Sequence, residues 1–193
     1  MNLIYENVSP SEIFIDEREL WARLGGIGAV SDEKIKLVAG EIAEVASAAY
    51  TACELSVTVN NGSCVCAGGI TIAGENFAKI SGGCRSIIAM VATLGAGVDR
   101  LIRRESAISM AEGFIYDAVA SAMVEGLVNL ATVRTTSGKE HTNRFSPGYG
   151  DMPLDIQDEI ITLLEATKRM GVALNESKLM SPSKSVTAFI GIK

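Results

Sequence analysis

The sequence has little positive charge, since 17 lysine and arginine residues stand against 23 aspartate and glutamate residues, for a formal net charge of −6. A protein that binds nucleic acid needs a basic footprint, so this composition argues against that class. Long apolar runs are also missing. The longest, residues 87–98, is too short to span a bilayer and contains a threonine and two glycines. Residues 1–6 have no basic start followed by an apolar core, so no secretory signal is predicted. We expect a cytoplasmic protein that binds neither nucleic acid nor membranes.

Cysteine and histidine are scarce as well. The four cysteines show no CxxC spacing, and buried small hydrophobes are the favoured interpretation. Cys64 and Cys66 would share one face of a strand, which leaves a soft-metal or redox site as the alternative. His141 lies in a polar run and is interpreted as a solvated loop side chain, with a catalytic base or a cobalt ligand as the alternative. Without a nucleophile–base motif or a phosphate loop, no catalytic residue and no metal site are predicted.

What the sequence does have is enough apolar residue content, 48% of 193 residues, to bury one substantial core. Residues 85–94 form a nearly continuous apolar strand, which implies cover on both faces of a sheet. Ser31 is the expected N-cap of a long helix, Glu105-Ser106 is expected to break another, and Asn60-Asn61-Gly62 is expected to turn a hairpin. We predict helices at residues 17–24, 32–53, 96–104, 107–133 and 153–170, a helical turn at 77–80, and strands at 54–59, 63–67, 69–72, 85–94 and 185–192. The fold class is therefore α+β, a single domain with an antiparallel-rich sheet and helices packed against it.

The most informative stretch is Arg144-Phe145-Ser146-Pro147-Gly148-Tyr149-Gly150-Asp151. Pro147 fixes its own φ, while Gly148 and Gly150 can take positive φ, so the segment is typical of a rigid turn. Arg144 offers a planar fork for a carboxylate or phosphate, and Tyr149 offers a ring face for a flat heterocycle or a cation. A turn that only reverses the chain is the alternative.

A second polar pattern lies in the long helix. Asp117, Ser121 and Glu125 recur every fourth residue and share one face, which is either exposed to solvent or lines a pocket. Carboxylates near Arg144 would bind the amino group of an amino-acid ligand while Arg144 binds its carboxylate, and they would favour a positive sulfonium. These properties describe S-adenosylmethionine. Asp151 is another candidate for this role, or else it caps the turn or is an N-terminal acid of a helix that begins near Pro153.

Further motifs follow the turn: Pro153-Leu154-Asp155-Ile156-Gln157, then Gly171-Val172-Ala173-Leu174-Asn175-Glu176-Ser177, then Met180-Ser181-Pro182-Ser183-Lys184-Ser185-Val186. Together with Gly83-Cys84 and Val91-Ala92-Thr93-Leu94-Gly95 upstream, they resemble the activation (reactivation) domain of vitamin B12-dependent methionine synthase, in a stand-alone form. Residues 75–193 correspond to an activation-domain-like core with the RxxxGY motif. Residues 1–74 hold N-terminal helices and a hairpin and are a weakly matched part of the same domain.

The resemblance implies a ligand site. It assigns S-adenosylmethionine binding to Arg144, Phe145, Ser146, Gly148 and Tyr149, with Glu125 and Ser121 from the long helix. Ser121 stands where the family has a binding glutamate, and Phe189-Ile190 stand where the family has a tyrosine near the ligand. Ser183 and Lys184 are interpreted as scaffolding, because Pro-Ser-Lys turns commonly fix the direction of the backbone.

The resemblance also implies a function in reductive reactivation (remethylation). When cobalamin on the partner is oxidised from cob(I)alamin to cob(II)alamin, the domain would cover the corrin and present the methyl group of S-adenosylmethionine, while a flavodoxin-like electron donor supplies the electron. The partner that carries cobalamin is then methionine synthase or a related corrinoid protein. One alternative is a corrinoid-methyltransferase docking module that has lost S-adenosylmethionine binding. Another is an independent S-adenosylmethionine enzyme, for which the sequence shows no second pocket or base.

Overall fold

The structure is a computed structural model that describes residues 2–60, 64–67 and 69–193, with only the backbone described for residues 60 and 64–66. The strands are β1 Leu3–Asn7, β2 Ala49–Asn60, β3 Cys64–Ala67, β4 Ile70–Ala73, β5 Ser86–Thr93, β6 Ala173–Leu174, β7 Met180–Ser181 and β8 Ser185–Ile192. The helices are α1 Glu17–Leu24, α2 Asp32–Val45, α3 Glu75–Ser81, α4 Ala96–Ile108, α5 Met110–Thr136, α6 Ile156–Leu163 and α7 Ala166–Met170, with a 3-10 turn at Pro10–Glu12.

One sheet organises the molecule, in the order β4-β3-β2-β5-β8. Each described pairing in it is antiparallel. β2 pairs with β5 along one edge, from Ala49 opposite Thr93 to Ser56 opposite Ser86. Its other edge is shared, because β1 pairs with residues 49–53 and β3 with residues 57–60. The predicted α+β class with an antiparallel-rich sheet is confirmed.

Helices cover both faces of the sheet, as the apolar strand predicted. Alternate residues of β5 point to opposite faces. Ile88 and Met90 pack in a core with α1, α2, α4 and α5. Ile87 and Ala89 pack in a second core with α3, α6 and α7. Since these β5 residues are at most 2% exposed, the strand is buried on both sides.

The longest helix, α5, crosses the first of these cores. Its N-cap is Ser109, whose hydroxyl accepts a hydrogen bond from the Glu112 amide at 3.4 Å. α5 is long and apolar enough to cross a membrane by length and composition, but 67% of its most apolar window is buried inside the fold. The predicted break at Glu105-Ser106 is wrong, because α4 continues to Ile108. The Ser106 hydroxyl donates to the Ile102 carbonyl at 2.7 Å, and it does so without interrupting the helix.

Two predicted helices have different bounds. Ser31 caps α2 as expected, accepting from the Lys34 amide at 3.3 Å, but the helix ends at Val45 and not at residue 53. Residues 49–53 are instead in β2, where β1 and β5 pair with them on both edges. The helix predicted at 153–170 is split into α6 and α7 at Glu165, which has a φ of 51°. This break lets Leu164 and Ala166 both be fully buried.

Part of the predicted hairpin falls outside the description. Residues 61–63 are not described, but Asn60 lies opposite Cys64 in the antiparallel pairing of β2 with β3. The side chains of Cys64 and Cys66 lie outside the described residues too, so the soft-metal alternative stays a prediction.

Candidate functional site

The segment before the predicted ligand turn is held along the edge of β8. The Thr142 amide donates to the Gly191 carbonyl at 2.9 Å. Phe145 and Phe189 exchange two backbone hydrogen bonds, at 2.9 and 2.8 Å. Arg144 lies between these two anchor points, so its backbone is fixed by the sheet.

The turn itself is closed by its own backbone. The Tyr149 amide donates to the Ser146 carbonyl at 3.2 Å, and the Gly148 amide donates to the Met152 carbonyl at 3.1 Å. Gly148 and Gly150 take φ values of 84° and 59°, in the left-handed region that glycine tolerates best. The turn chemistry predicted for this stretch is therefore present.

Asp151 ties the turn to another element. Its carboxylate accepts hydrogen bonds from the backbone amides of Glu75 at 2.6 Å and Asn76 at 3.3 Å, the first two residues of α3. The N-cap of α3 is Gly74, which has no side chain to fulfil this role. Asp151 is therefore a helix cap, as one interpretation held, but for α3 rather than for a helix near Pro153. Its carboxylate is already engaged, which speaks against the ligand role.

Arg144 and Glu125 form the central ion pair of the site. Arg144 Nη2 lies 2.9 Å from Glu125 Oε2, and the two side chains are 25% and 31% exposed. Arg144 Nη1 is buried and has no hydrogen-bond partner among the described residues. A partly exposed ion pair of this kind contributes at most about 1 kcal/mol to the stability of the fold. An unsatisfied buried donor lowers that stability by about 1–3 kcal/mol. The guanidinium is thus only half satisfied.

A pocket of about 210 Å³ opens beside this pair, lined in the described chain by Glu125, Arg144, Phe145, Ser146, Tyr149 and Val186. Five of the seven residues predicted for ligand binding thus share one cavity. Tyr149 is 71% exposed at the pocket, while Phe145 packs its ring on Phe77 at 5.7 Å between centroids. Gly148 shapes the turn without lining the cavity. Val186, from β8, was not predicted, because nothing in the sequence distinguishes it from the buried positions of the strand.

Ser121 lies apart from the pocket. It is 5% exposed, and its hydroxyl accepts a hydrogen bond from Lys184 Nζ at 3.1 Å. The same Nζ lies 2.6 Å from Asp117 Oδ1. The predicted polar stripe is therefore divided: Glu125 faces the pocket with Arg144, and Asp117 and Ser121 bind Lys184. The scaffolding role predicted for Lys184 did not include this contact, since no local sequence pattern links Lys184 to Asp117 and Ser121.

The remaining polar candidates lie outside the pocket. His141 is exposed, and its Nδ1 lies 2.8 Å from the Thr142 carbonyl, in agreement with a solvated loop side chain. In the described part of the chain, no group of three or more histidine, cysteine, aspartate or glutamate side chains is arranged to hold a metal ion. The Arg144–Glu125 pair that lines the pocket and the Lys184–Asp117 pair on the same helix face are each formally neutral.

The fold is similar to a solved structure of the MetH reactivation domain bound to AdoHcy. The TM-score is 0.79, the match covers 100% of this chain and 78% of that chain, and the sequence identity is 14%. No family model and no curated protein matches the sequence. The chain therefore has the fold of the MetH reactivation domain, and the likeness extends through residues 1–74, where the sequence resemblance was weak.

Proposed function

We propose that this chain binds S-adenosylmethionine in the Arg144 pocket and is an accessory protein for the reductive remethylation of cobalamin-dependent methionine synthase or a related corrinoid protein. The observation that carries the proposal is the Arg144–Glu125 pair beside the exposed ring of Tyr149. It is supported by the fold, which is shared with a domain that was solved with AdoHcy bound.

The pair suits the amino-acid end of the ligand. A zwitterion brings one carboxylate and one ammonium group, so Arg144 would bind the first and Glu125 the second. One partly exposed ion pair would be exchanged for two, and the guanidinium would gain a partner for the nitrogen that now has none in the described chain. Bidentate binding of a carboxylate is the geometry for which arginine is best suited.

The size of the pocket limits how much of the ligand it encloses. A volume of about 210 Å³ is below the roughly 300–1,000 Å³ common for small-molecule sites. We infer that the pocket holds the amino-acid end, with the adenosine lying toward the exposed Tyr149 ring. When bound, S-adenosylmethionine supplies an electrophilic methyl group. The contribution of this chain is to hold the sulfonium at the surface in a fixed orientation, toward a corrin presented by a partner.

The proposal therefore needs two partners, both expected in the cytoplasm. The first carries cobalamin and is methionine synthase or a related corrinoid protein. The second is a flavodoxin-like electron donor, because transfer of the methyl group from S-adenosylmethionine to cob(II)alamin, which would release S-adenosylhomocysteine and give methylcobalamin, consumes one electron.

One observation favours a second function. Ser121 stands at the position where the family has a binding glutamate, and its hydroxyl accepts a hydrogen bond from Lys184. A docking module for a corrinoid methyltransferase that has lost S-adenosylmethionine binding is compatible with that change. In such a module Arg144 and Tyr149 would anchor a protein partner, a common role for both residue types.

Calorimetric titration with S-adenosylmethionine, and with S-adenosylhomocysteine as the analogue that lacks the sulfonium charge, tests the proposal. We expect saturable binding by the native chain and a loss of at least tenfold in affinity in Arg144→Ala, because a hydrogen bond to a charged group contributes about 1.5–3 kcal/mol. Arg103→Ala is the matched control. Arg103 is exposed on α4, and in the described part of the chain it has no ion-pair or hydrogen-bond partner.

The outcomes separate the two functions. Native-like affinity in Arg144→Ala would refute the proposed site. No binding by the native chain at millimolar ligand, alone or with a cobalamin-loaded partner, would favour the docking module. Binding that is lost only in Arg144→Ala would justify reconstitution with cob(II)alamin-loaded methionine synthase, where the absorbance change to methylcobalamin reports remethylation.

A further inference from the structure

We propose that Lys184 sets the charge selectivity of the Arg144 pocket, that is, how strongly the pocket prefers a sulfonium ligand to the neutral thioether. The inference rests on the proposed function, since it concerns the same ligand. It assigns a specificity role to a residue that touches neither the Arg144–Glu125 pair nor the pocket lining in the described chain.

The position of the Lys184 ammonium is defined by its two partners on α5. The ammonium donates to Ser121 Oγ at 3.1 Å, and Ser121 lies one helical turn from Glu125, about 6 Å along the axis of α5. Asp117, the other partner of Lys184, lies one helical turn further from Glu125 than Ser121 does. The cation of the Lys184–Asp117 pair is therefore the end nearer the pocket. Val186, two residues after Lys184, lines the pocket itself.

Lys184 is held in place by backbone hydrogen bonds. Its carbonyl accepts a hydrogen bond from the Leu94 amide at 2.9 Å. The preceding residue, Ser183, donates from its amide and its hydroxyl to the Asp99 carboxylate, each at 2.8 Å. With its backbone fixed on both sides and its side chain only 11% exposed, Lys184 cannot turn its charge out to solvent as surface lysines do. Its field is consequently screened less by water.

The charge of Lys184 would act on a charged ligand in the pocket. A sulfonium in the pocket is attracted by Glu125 and repelled by Arg144 and Lys184, whereas a thioether feels none of these charges. Where the family has a glutamate, this chain has the neutral Ser121 bonded to a cation. The Lys184 charge therefore lowers the preference for the sulfonium below what the carboxylates alone would give, and Asp117 offsets it only in part because it is more distant and 45% exposed.

A double-mutant cycle of Lys184 and Asp117 measures this effect. The ratio of the affinities for S-adenosylmethionine and S-adenosylhomocysteine is determined by calorimetry for the native chain, Lys184→Met, Asp117→Asn and the double variant. A unit charge about 10 Å away changes such a ratio about fivefold at an intermediate dielectric constant. We expect the ratio to rise about fivefold in Lys184→Met, to fall by less in Asp117→Asn, and to lie between the native value and that of Lys184→Met in the double variant.

Two further variants separate charge from structure. Lys184→Arg keeps the charge and should keep the native ratio, while Ser121→Ala removes a hydrogen bond but no charge and should also keep it. Added salt should reduce the rise in Lys184→Met only slightly, because a charge that is 11% exposed is screened much less than an exposed one. Thermal melts establish that each variant is folded. The double variant leaves no buried charge without a counterion, so it checks that the fold tolerates the loss of Lys184. Asp117→Asn removes a carboxylate that is 45% exposed, and the fall in its ratio tests the sign of the effect even where Lys184→Met is unstable.

The inference is overturned if the two affinities change together, so that their ratio stays within about twofold in every variant; Lys184 would then be purely structural, while the proposed binding site would stand. If the native chain binds neither ligand, the proposed function fails and this inference fails with it. A ratio that rises in Lys184→Met and is intermediate in the double variant supports it.

Discussion

Replacing Asp151 with alanine should remove the clamp between the ligand turn and α3. The carboxylate accepts from the Glu75 amide at 2.6 Å and from the Asn76 amide at 3.3 Å. The first turn of a helix has four amides without partners inside the helix, and Gly74, the N-cap residue of α3, has no side chain to serve them. The cap of α3 is therefore supplied from 76 residues away in sequence.

Loss of an N-cap side chain costs about 0.5–2 kcal/mol of stability. Because the Asp151 carboxylate serves two amides, we expect the upper half of that range, about 1–2 kcal/mol, as a lower urea midpoint at an unchanged slope. Asp155→Ala is the matched control. Asp155 is the residue at the N-cap of α6, but within the described chain its side chain makes no capping hydrogen bond, so its loss should cost less than about 0.5 kcal/mol.

The same variant reports on the ligand site. The turn that carries Tyr149 would be tied to α3 mainly by the Phe145–Phe77 ring contact, and ordering it on binding would cost conformational entropy. We expect about threefold to tenfold weaker S-adenosylmethionine binding, with Asp151→Asn intermediate since it keeps one acceptor. Equal losses of stability in Asp151→Ala and Asp155→Ala would refute the capping argument. A stability loss with native ligand affinity would show that the clamp does not order the turn.

Two other predictions concern stability. In Gly126→Ala the new Cβ would lie 1.8 Å from the Phe14 carbonyl oxygen, so the free energy of unfolding should fall by about 1–3 kcal/mol. In Gly40→Ala, where no described atom outside the helix's own backbone lies within 4 Å of the new Cβ, it should rise by about 0.5–1 kcal/mol. Urea denaturation measures both variants, and equal changes in the two would contradict the packing argument. Burial raises the pKa of the Cys53 thiol to about 11 from an ordinary 9.0. Because the unfolded thiol ionises first, the stability that the protonated, buried thiol contributes is present below pH 9 and is lost as the pH rises toward 11. Alkylation of Cys53 at pH 8 should therefore require unfolding. Rapid labelling of the native thiol would contradict its burial.

The parts of the fold that were predictable are those that local pattern decides. The continuous apolar run at residues 85–94 predicted a strand with cover on both faces, and β5 has it. The end of α2 was not predictable in this way. Residues 46–53 extend the apolar stripe of the helix, and only pairing with β1 and β5, both distant in sequence, makes residues 49–53 part of a strand.

In the candidate site, too, local sequence patterns predicted some features, and contacts between residues distant in sequence decided the others. The turn with Arg144 and Tyr149 follows from glycine, proline and side-chain chemistry within eight residues. Helical periodicity placed Asp117, Ser121 and Glu125 on one face. That Lys184 reaches across 67 residues to bind two of them is a tertiary contact that no spacing encodes. The capping of α3 by Asp151 is another.

The small pocket bears on how the two proposed functions are related. It is too small to enclose all of S-adenosylmethionine, and Tyr149, on which we place the adenosine, is 71% exposed. A corrinoid protein that received the methyl group would have to cover this same surface, so it would supply the missing wall of the site. Coupling of that kind is reciprocal: a partner that tightens ligand binding is itself bound more tightly by the ligand-loaded chain. Weak binding by the chain alone is therefore what a delivery site predicts, and S-adenosylmethionine affinity measured in the presence of the corrinoid partner is the quantity that distinguishes a reactivation protein from a docking module.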